Sequence, residues 1–123
     1  MWYVMQADEN SRVITGFNEK INPDEFVKKI EDKKIMSVLD VKTASQGDVF
    51  FLETGTVHAI GAGIVIAEIQ QTSDITYRLH DFDRVDEQGN ERELHVELAL
   101  DTITFDKVDT HIQYERKLNQ YYC

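Results

Sequence analysis

Gly47-Asp48-Val49-Phe50-Phe51-Leu52-Glu53-Thr54-Gly55-Thr56-Val57-His58 is the stretch on which the reading of the fold turns. Asp48 to Leu52 reads as a strand, the chain turns tightly at Gly55, and Val57 to Ile60 reads as the next strand. Glycine at the turn allows backbone angles that a Cβ would forbid, and the second strand then presents a histidine. A unit of this kind aims an imidazole at whatever its strands enclose. Downstream, Gly63 to Gln70 and Ile75 to Leu79 continue the same texture, and several short strands at this spacing predict a mainly β sandwich or barrel.

Upstream, Trp2 to Ala7 and Arg12 to Phe17 are β-type runs joined by Asp8-Glu9-Asn10-Ser11, which has the length and residue types of a hairpin loop. Asn22-Pro23-Asp24-Glu25 supplies a helix cap, a proline at the first helical position and a glutamate three residues after the cap. Phe26, Val27 and Ile30 then share one face, and the lysines at 28, 29, 33 and 34 suit the C-terminal end of the helix dipole. Acids and bases cancel between Glu19 and Lys34, as on a solvated helix face. The acidic segment Asp81 to Glu93, with its Gly89-Asn90 turn signal, reads as an exposed loop. Leu94, Val96, Leu98 and Leu100 alternate as in a strand, yet helix propensity is strong there and favours a short helix. Weak patterning from Thr104 to Cys123 reads as a tail, so the domain is expected over 1–103.

Composition narrows the function classes. The 123 residues carry 13 basic and 23 acidic side chains, a net charge of −10 that opposes nucleic acid and anionic membrane surfaces as partners. No stretch approaches the ~20 apolar residues that span a bilayer, and the N-terminus lacks a basic flank and an apolar signal core. One cysteine, Cys123, closes no internal disulfide. A cytoplasmic protein is expected.

Two further residues stand out. Along Ile75 to His80, Thr76, Arg78 and His80 share the strand face opposite Ile75, Tyr77 and Leu79, a polar face that either meets water or lines a ligand-filled barrel. Glu68 interrupts an apolar run, where a buried carboxylate needs a partner. If the two strands turn near Ser73, Glu68 and Arg78 lie equally far from the turn and pair across the ladder. Such a pair either fixes register or holds Glu68 beside a substrate. His95 and His111 lie in segments without metal-ligand spacing, and Trp2 and Tyr3 read as core or barrel-wall aromatics.

The opening stretch resembles the second motif of the cupin superfamily, with Gly47, Gly55 and His58 in register and with Glu53 and Ala62 where that motif has proline and often asparagine. The continuation through Gly55 to Gly61, Glu68 to Arg78, Asp81 to Arg84 and Leu94 to Glu97, together with Met1 to Val4, resembles bacterial class I mannose-6-phosphate isomerases over roughly residues 1 to 103. That resemblance implies a cupin-like β-barrel (jelly roll) with one or two short helices, truncated at both ends. It further implies a zinc-dependent aldose–ketose isomerisation of mannose 6-phosphate and fructose 6-phosphate, with His58 as a zinc ligand and Arg78 in the active site. Glu68 is the candidate for substrate binding. In the family a glutamate immediately precedes the Trp-Tyr pair and further ligands lie upstream, so the resemblance implies an incomplete zinc site here, in a chain that is a central piece of a longer enzyme. His58 is expected to face the barrel on the same side as Arg78. The alternative is a non-catalytic, cupin-like sugar-binding or regulatory module. Strands cut from a barrel expose edges, which makes a homo-oligomer an expectation of either reading.

Overall fold

The computed structural model describes residues 1–73, 75–81, 87–90 and 92–115. The strands β1 (Trp2–Ala7), β2 (Arg12–Phe17), β3 (Leu39–Thr43), β4 (Val49–Phe50), β5 (His58–Ile60), β6 (Ile64–Glu68) and β7 (His111–Ile112) are accompanied by the helices α1 (Pro23–Glu31) and α2 (Val96–Leu100). They form two antiparallel sheets, one in the order β6-β1-β4-β7 and one in the order β3-β2-β5. The mainly β architecture with short helices agrees with the sequence reading.

The expected hairpin does not form. β1 and β2 have the anticipated limits, but Trp2 lies opposite Phe50 and Glu68 in one sheet, whereas Val13 lies opposite Lys42 and Ile60 in the other. The reason is burial: Val13, Ile14, Thr15 and Phe17 are all buried, so β2 needs a covering layer on both faces and a neighbour on both edges. A two-stranded hairpin offers neither. The polar loop 8–11 is instead a corner between sheets. Asn10 takes a left-handed φ of 63°, the Asp8 N–H donates to Gly63 O, and the Ala44 N–H donates to Ser11 O.

β2 serves two cores. Val13 packs between the sheets with Trp2, Val4, Ala44 and Phe50. Ile14 and Phe17 face the other way, into a cluster with Ile21, Phe26, Ile35, Val38 and Leu39 that α1 covers. Residues 14 and 17 share a face because the register shifts between them, at Gly16 with φ 97°, in the manner of a bulge. α1 starts as its sequence dictates, with the Asn22 side chain accepting from the Glu25 N–H at 2.8 Å and Pro23 in the first turn. Its Phe26 ring meets Phe17 edge-on at 5.7 Å and Phe105 at 5.6 Å.

Residues 104–115, which the sequence reading set outside 1–103, enter this packing through Phe105 and through β7, paired to β4. Residues 116–123 lie outside the described residues. The strand expected over Ile75 to Leu79 is absent, and Leu79 packs against the Phe17–Phe26 cluster instead. The expected helix is present as α2. Of the acidic loop, 82–86 and 91 lie outside the described residues, and 87–90 are exposed. On the four-stranded sheet Val65 and Ile112 are exposed apolar side chains, as is Ile69 just beyond β6. No helix among the described residues is long and apolar enough to cross a membrane.

Candidate functional site

His58 opens β5, just after the turn that the sequence marks at Gly55. Gly55 has φ 90°, the Thr56 N–H returns to Glu53 O at 3.0 Å, and the Gly16 N–H donates to Val57 O at 2.7 Å, which docks the turn on β2. The Thr56 carbonyl then lies 2.7 Å from His58 Nδ1. A carbonyl only accepts, so the proton sits on Nδ1 and the Nε2 lone pair is left for a ligand. The imidazole is exposed, and its ring stands 83° from the Trp2 ring at a centroid distance of 5.3 Å.

Trp2 links the two candidate side chains. It is 2% exposed, between the sheets, and its Nε1–H donates to Glu68 Oε1 at 2.9 Å. Trp2 and Glu68 are directly opposite on β1 and β6, so both side chains leave the same face of that sheet. Histidine and glutamate thus approach one indole from different sheets. Sequence reasoning treated Trp2 as wall material and missed its donor role. The only signal available was that a glutamate interrupting an apolar strand needs a partner.

Arg78 is not that partner. With no strand at 75–79, the ladder position opposite Glu68 belongs to Trp2, and the expected Glu68–Arg78 pair is replaced by the indole bond. Arg78 associates with the segment before α2. Its N–H donates to His95 Nδ1 at 3.2 Å, its carbonyl accepts from the His95 N–H at 2.8 Å, and its Nη1 makes a long 3.4 Å contact to Glu93 O. Arg92 grips Asp81 with two donors, Nε at 2.6 Å and Nη2, and this bond raises the Arg92 pKa. The contacts 78 to 95 and 81 to 92 share one antiparallel register, so the arm bearing Arg78 is braced by 92–95. His95, which had no ligand spacing, is its main support, while His80 is half-buried.

A second polar set lies on the inner face of β3. Lys42 lies opposite Val13, pairs with Asp40, and reaches Thr15 Oγ1 at 3.4 Å, where the buried Thr110 hydroxyl also donates at 2.9 Å. Clefts of about 260 and 240 Å³ flank β7, one around Asp48 and His111, the other around Glu53 and Thr110. Both are below the ~300 Å³ of ordinary ligand pockets, and neither is lined by His58, Glu68 or Arg78. Among the described residues no group of three His, Cys, Asp or Glu is arranged to hold a metal ion.

The curated protein named mannose-6-phosphate isomerase from Streptococcus mutans is 42% identical over 108 residues, which is 86% of this chain and 33% of that protein. The chain is similar to one third of a mannose-6-phosphate isomerase. A Bacillus subtilis protein named mannose-6-phosphate isomerase ManA is 39% identical over 102 residues, 83% of this chain and 32% of its own length. The crystal structure of the mannose 6-phosphate isomerase from Bacillus subtilis superposes with a TM-score of 0.81 and 34% identity, covering 94% of this chain and 38% of that one. The two-sheet arrangement described above is therefore that of the corresponding part of a solved mannose-6-phosphate isomerase. No family model matches the chain. The chain spans about a third of the length of the curated relatives it matches.

Proposed function

We propose that this chain supplies part of the active site of a zinc-dependent mannose-6-phosphate isomerase acting on a sugar phosphate in the cytoplasm. The observation that carries the reading is the His58–Trp2–Glu68 arrangement, in which an imidazole with an open Nε2 and a carboxylate meet at one indole. The donor set suits zinc in part. The Thr56 carbonyl holds His58 Nδ1–H, as a backbone carbonyl commonly does for a metal-ligating histidine, and His58 would hold the metal through Nε2 together with donors beyond those described. Zinc, when bound, polarises the sugar carbonyl as a Lewis acid. Glu68 accepts hydrogen bonds from sugar hydroxyls and assists the proton moving between C1 and C2. Arg78, on its braced arm, stabilises the negative charge that develops on the substrate.

Among the described residues no three ligand-type side chains are arranged around one point, which suits a second reading for the chain on its own, a sugar-phosphate-binding module without turnover. Its strand edges at β3, β5, β6 and β7 also suit pairing with another polypeptide, including a second copy. Purified chain with zinc and mannose 6-phosphate, assayed for bound sugar and for fructose 6-phosphate, tests these readings. Binding with little turnover is expected. Substantial turnover refutes an incomplete site, and the absence of both binding and turnover refutes a sugar-phosphate site carried by this chain alone.

A further inference from the structure

Trp2 does more in this structure than fill the space between the sheets. The residue is 2% exposed, yet its one side-chain polar atom is committed to Glu68 at 2.9 Å, and its ring stands nearly perpendicular to that of His58 with centroids 5.3 Å apart. Glu68 is at the end of β6 and is exposed, and among the described residues the indole N–H is what bonds its carboxylate and fixes the rotamer. His58 is held at Nδ1 by the Thr56 carbonyl, but one hydrogen bond leaves the ring free to swing about that contact. The indole blocks that swing. We infer that Trp2 is the positioning residue of the site: it sets the carboxylate of Glu68 and the imidazole of His58 at a fixed separation across the two sheets. The inference deepens the isomerase reading by naming what aligns its two groups, but it concerns the arrangement of the residues and stands apart from turnover.

The chemistry supports this assignment over simple packing. Phenylalanine or leucine fills apolar volume as well as tryptophan does, and neither donates a hydrogen bond. A hydrogen bond to an ionised carboxylate is stronger than a neutral one and directional, so it restricts Glu68 to one orientation. Register completes the argument, because Trp2 lies on the inner strand β1 directly opposite Glu68, with Phe50 behind it on β4 to keep the indole from retreating.

The test uses the full chain, in which Trp2 is the only tryptophan, so the indole N–H gives a unique nuclear magnetic resonance signal. Glu68→Ala is expected to speed solvent exchange of that N–H about tenfold or more, as loss of a bond to a charged acceptor requires, and to displace the ring resonances of His58. Glu68→Gln keeps an acceptor oxygen and is expected to restore both signals. In a Trp2→Phe background, Glu68→Ala is expected to leave His58 where it was, because the link between them is gone. If Trp2→Phe fails to fold, the Ala and Gln pair at position 68 decides. The inference is overturned if Glu68→Ala leaves His58 unmoved in the native background, if Gln restores nothing, or if the effect persists without the indole. A role confined to packing predicts the first of these. None of the measurements involves sugar or turnover, so failure here leaves the isomerase reading intact, and failure of the sugar assay leaves this inference intact.

Discussion

Gly55→Ala is the substitution that best tests how the turn before His58 is built. Gly55 has φ 90°, and a Cβ placed there falls well inside contact distance of the Thr102 carbonyl oxygen, with Thr104 Oγ1 at 3.0 Å and Thr104 N at 3.3 Å. The nearest obstacle is backbone, and the Thr104 N–H is already bonded to Gly55 O at 2.9 Å, so the two segments cannot part without losing that bond. The left-handed conformation costs an alanine about 1–2 kcal/mol. Forcing two packed segments apart adds about 1–3 kcal/mol. The sum, about 2–5 kcal/mol, is a large share of the ~5–15 kcal/mol that holds a typical domain folded. Gly89→Ala is the internal control, because Gly89 has a similar φ of 84° and no atom of the described residues lies within 4 Å of a Cβ built there, leaving the conformational part. Urea unfolding followed by Trp2 emission measures both variants. Gly55→Ala should lose at least about 1 kcal/mol more than Gly89→Ala. Equal losses would show that the contact with 102–104 is not structural and that the turn is held some other way.

Phe26→Ala should destabilise by about 3–5 kcal/mol in the same unfolding assay, since it empties the centre of the Phe17–Phe26–Phe105 aromatic group. Asn22→Ala should cost about 1 kcal/mol through loss of the cap to the Glu25 N–H, read as reduced helicity and a lower unfolding midpoint. Asp106 bonds the Lys20 ammonium at 2.7 Å and raises its pKa, so the pair's contribution is complete at neutral pH and is lost as pH rises through the raised value; the stability difference between wild type and Lys20→Met should be flat through neutral pH and shrink only above 10.5. One equivalent of zinc should not survive chelator dialysis of the chain, because catalytic zinc sites draw about three protein ligands, and stoichiometric retention would refute the incomplete donor set.

What the sequence disclosed followed the range of each signal. The cap and first turn of α1 were legible because Asn22, Pro23 and Glu25 act within four residues of one another. The turn at Gly55 and the strand beginning at His58 were legible for the same local reason. The partners of β1 and β2 were not: Asp8 to Ser11 has ordinary hairpin residues, and only the burial of β2 on both faces, a tertiary fact, moves the two strands into different sheets. Glu68 was expected to need a partner because it would be buried, whereas it is exposed and its bond comes from Trp2 on β1, 66 positions away. Alternation from Ile75 to His80 suggested a strand because it counts side chains and cannot see tertiary partners; the segment instead runs beside 92–95, with Leu79 packed on the Phe17–Phe26 cluster. The brace from His95 to Arg78 left no mark in the spacing at all.

The separation of β1 from its partners bears on how the chain folds as it is made. β1 leaves the ribosome ahead of both of its neighbours, β4 at 49–50 and β6 at 64–68. Until residues 49–68 have been synthesised, Trp2 has neither of its ladder partners, Phe50 and Glu68. α1 and the β2–β3 pair draw on nearer residues and can assemble earlier, which leaves β1 an apolar strand waiting for its partners while the other sheet is partly built. Such a strand is a template for its counterpart on a neighbouring nascent chain. Yield on expression should therefore respond to translation speed and to chaperone supply more than the finished fold's stability would suggest.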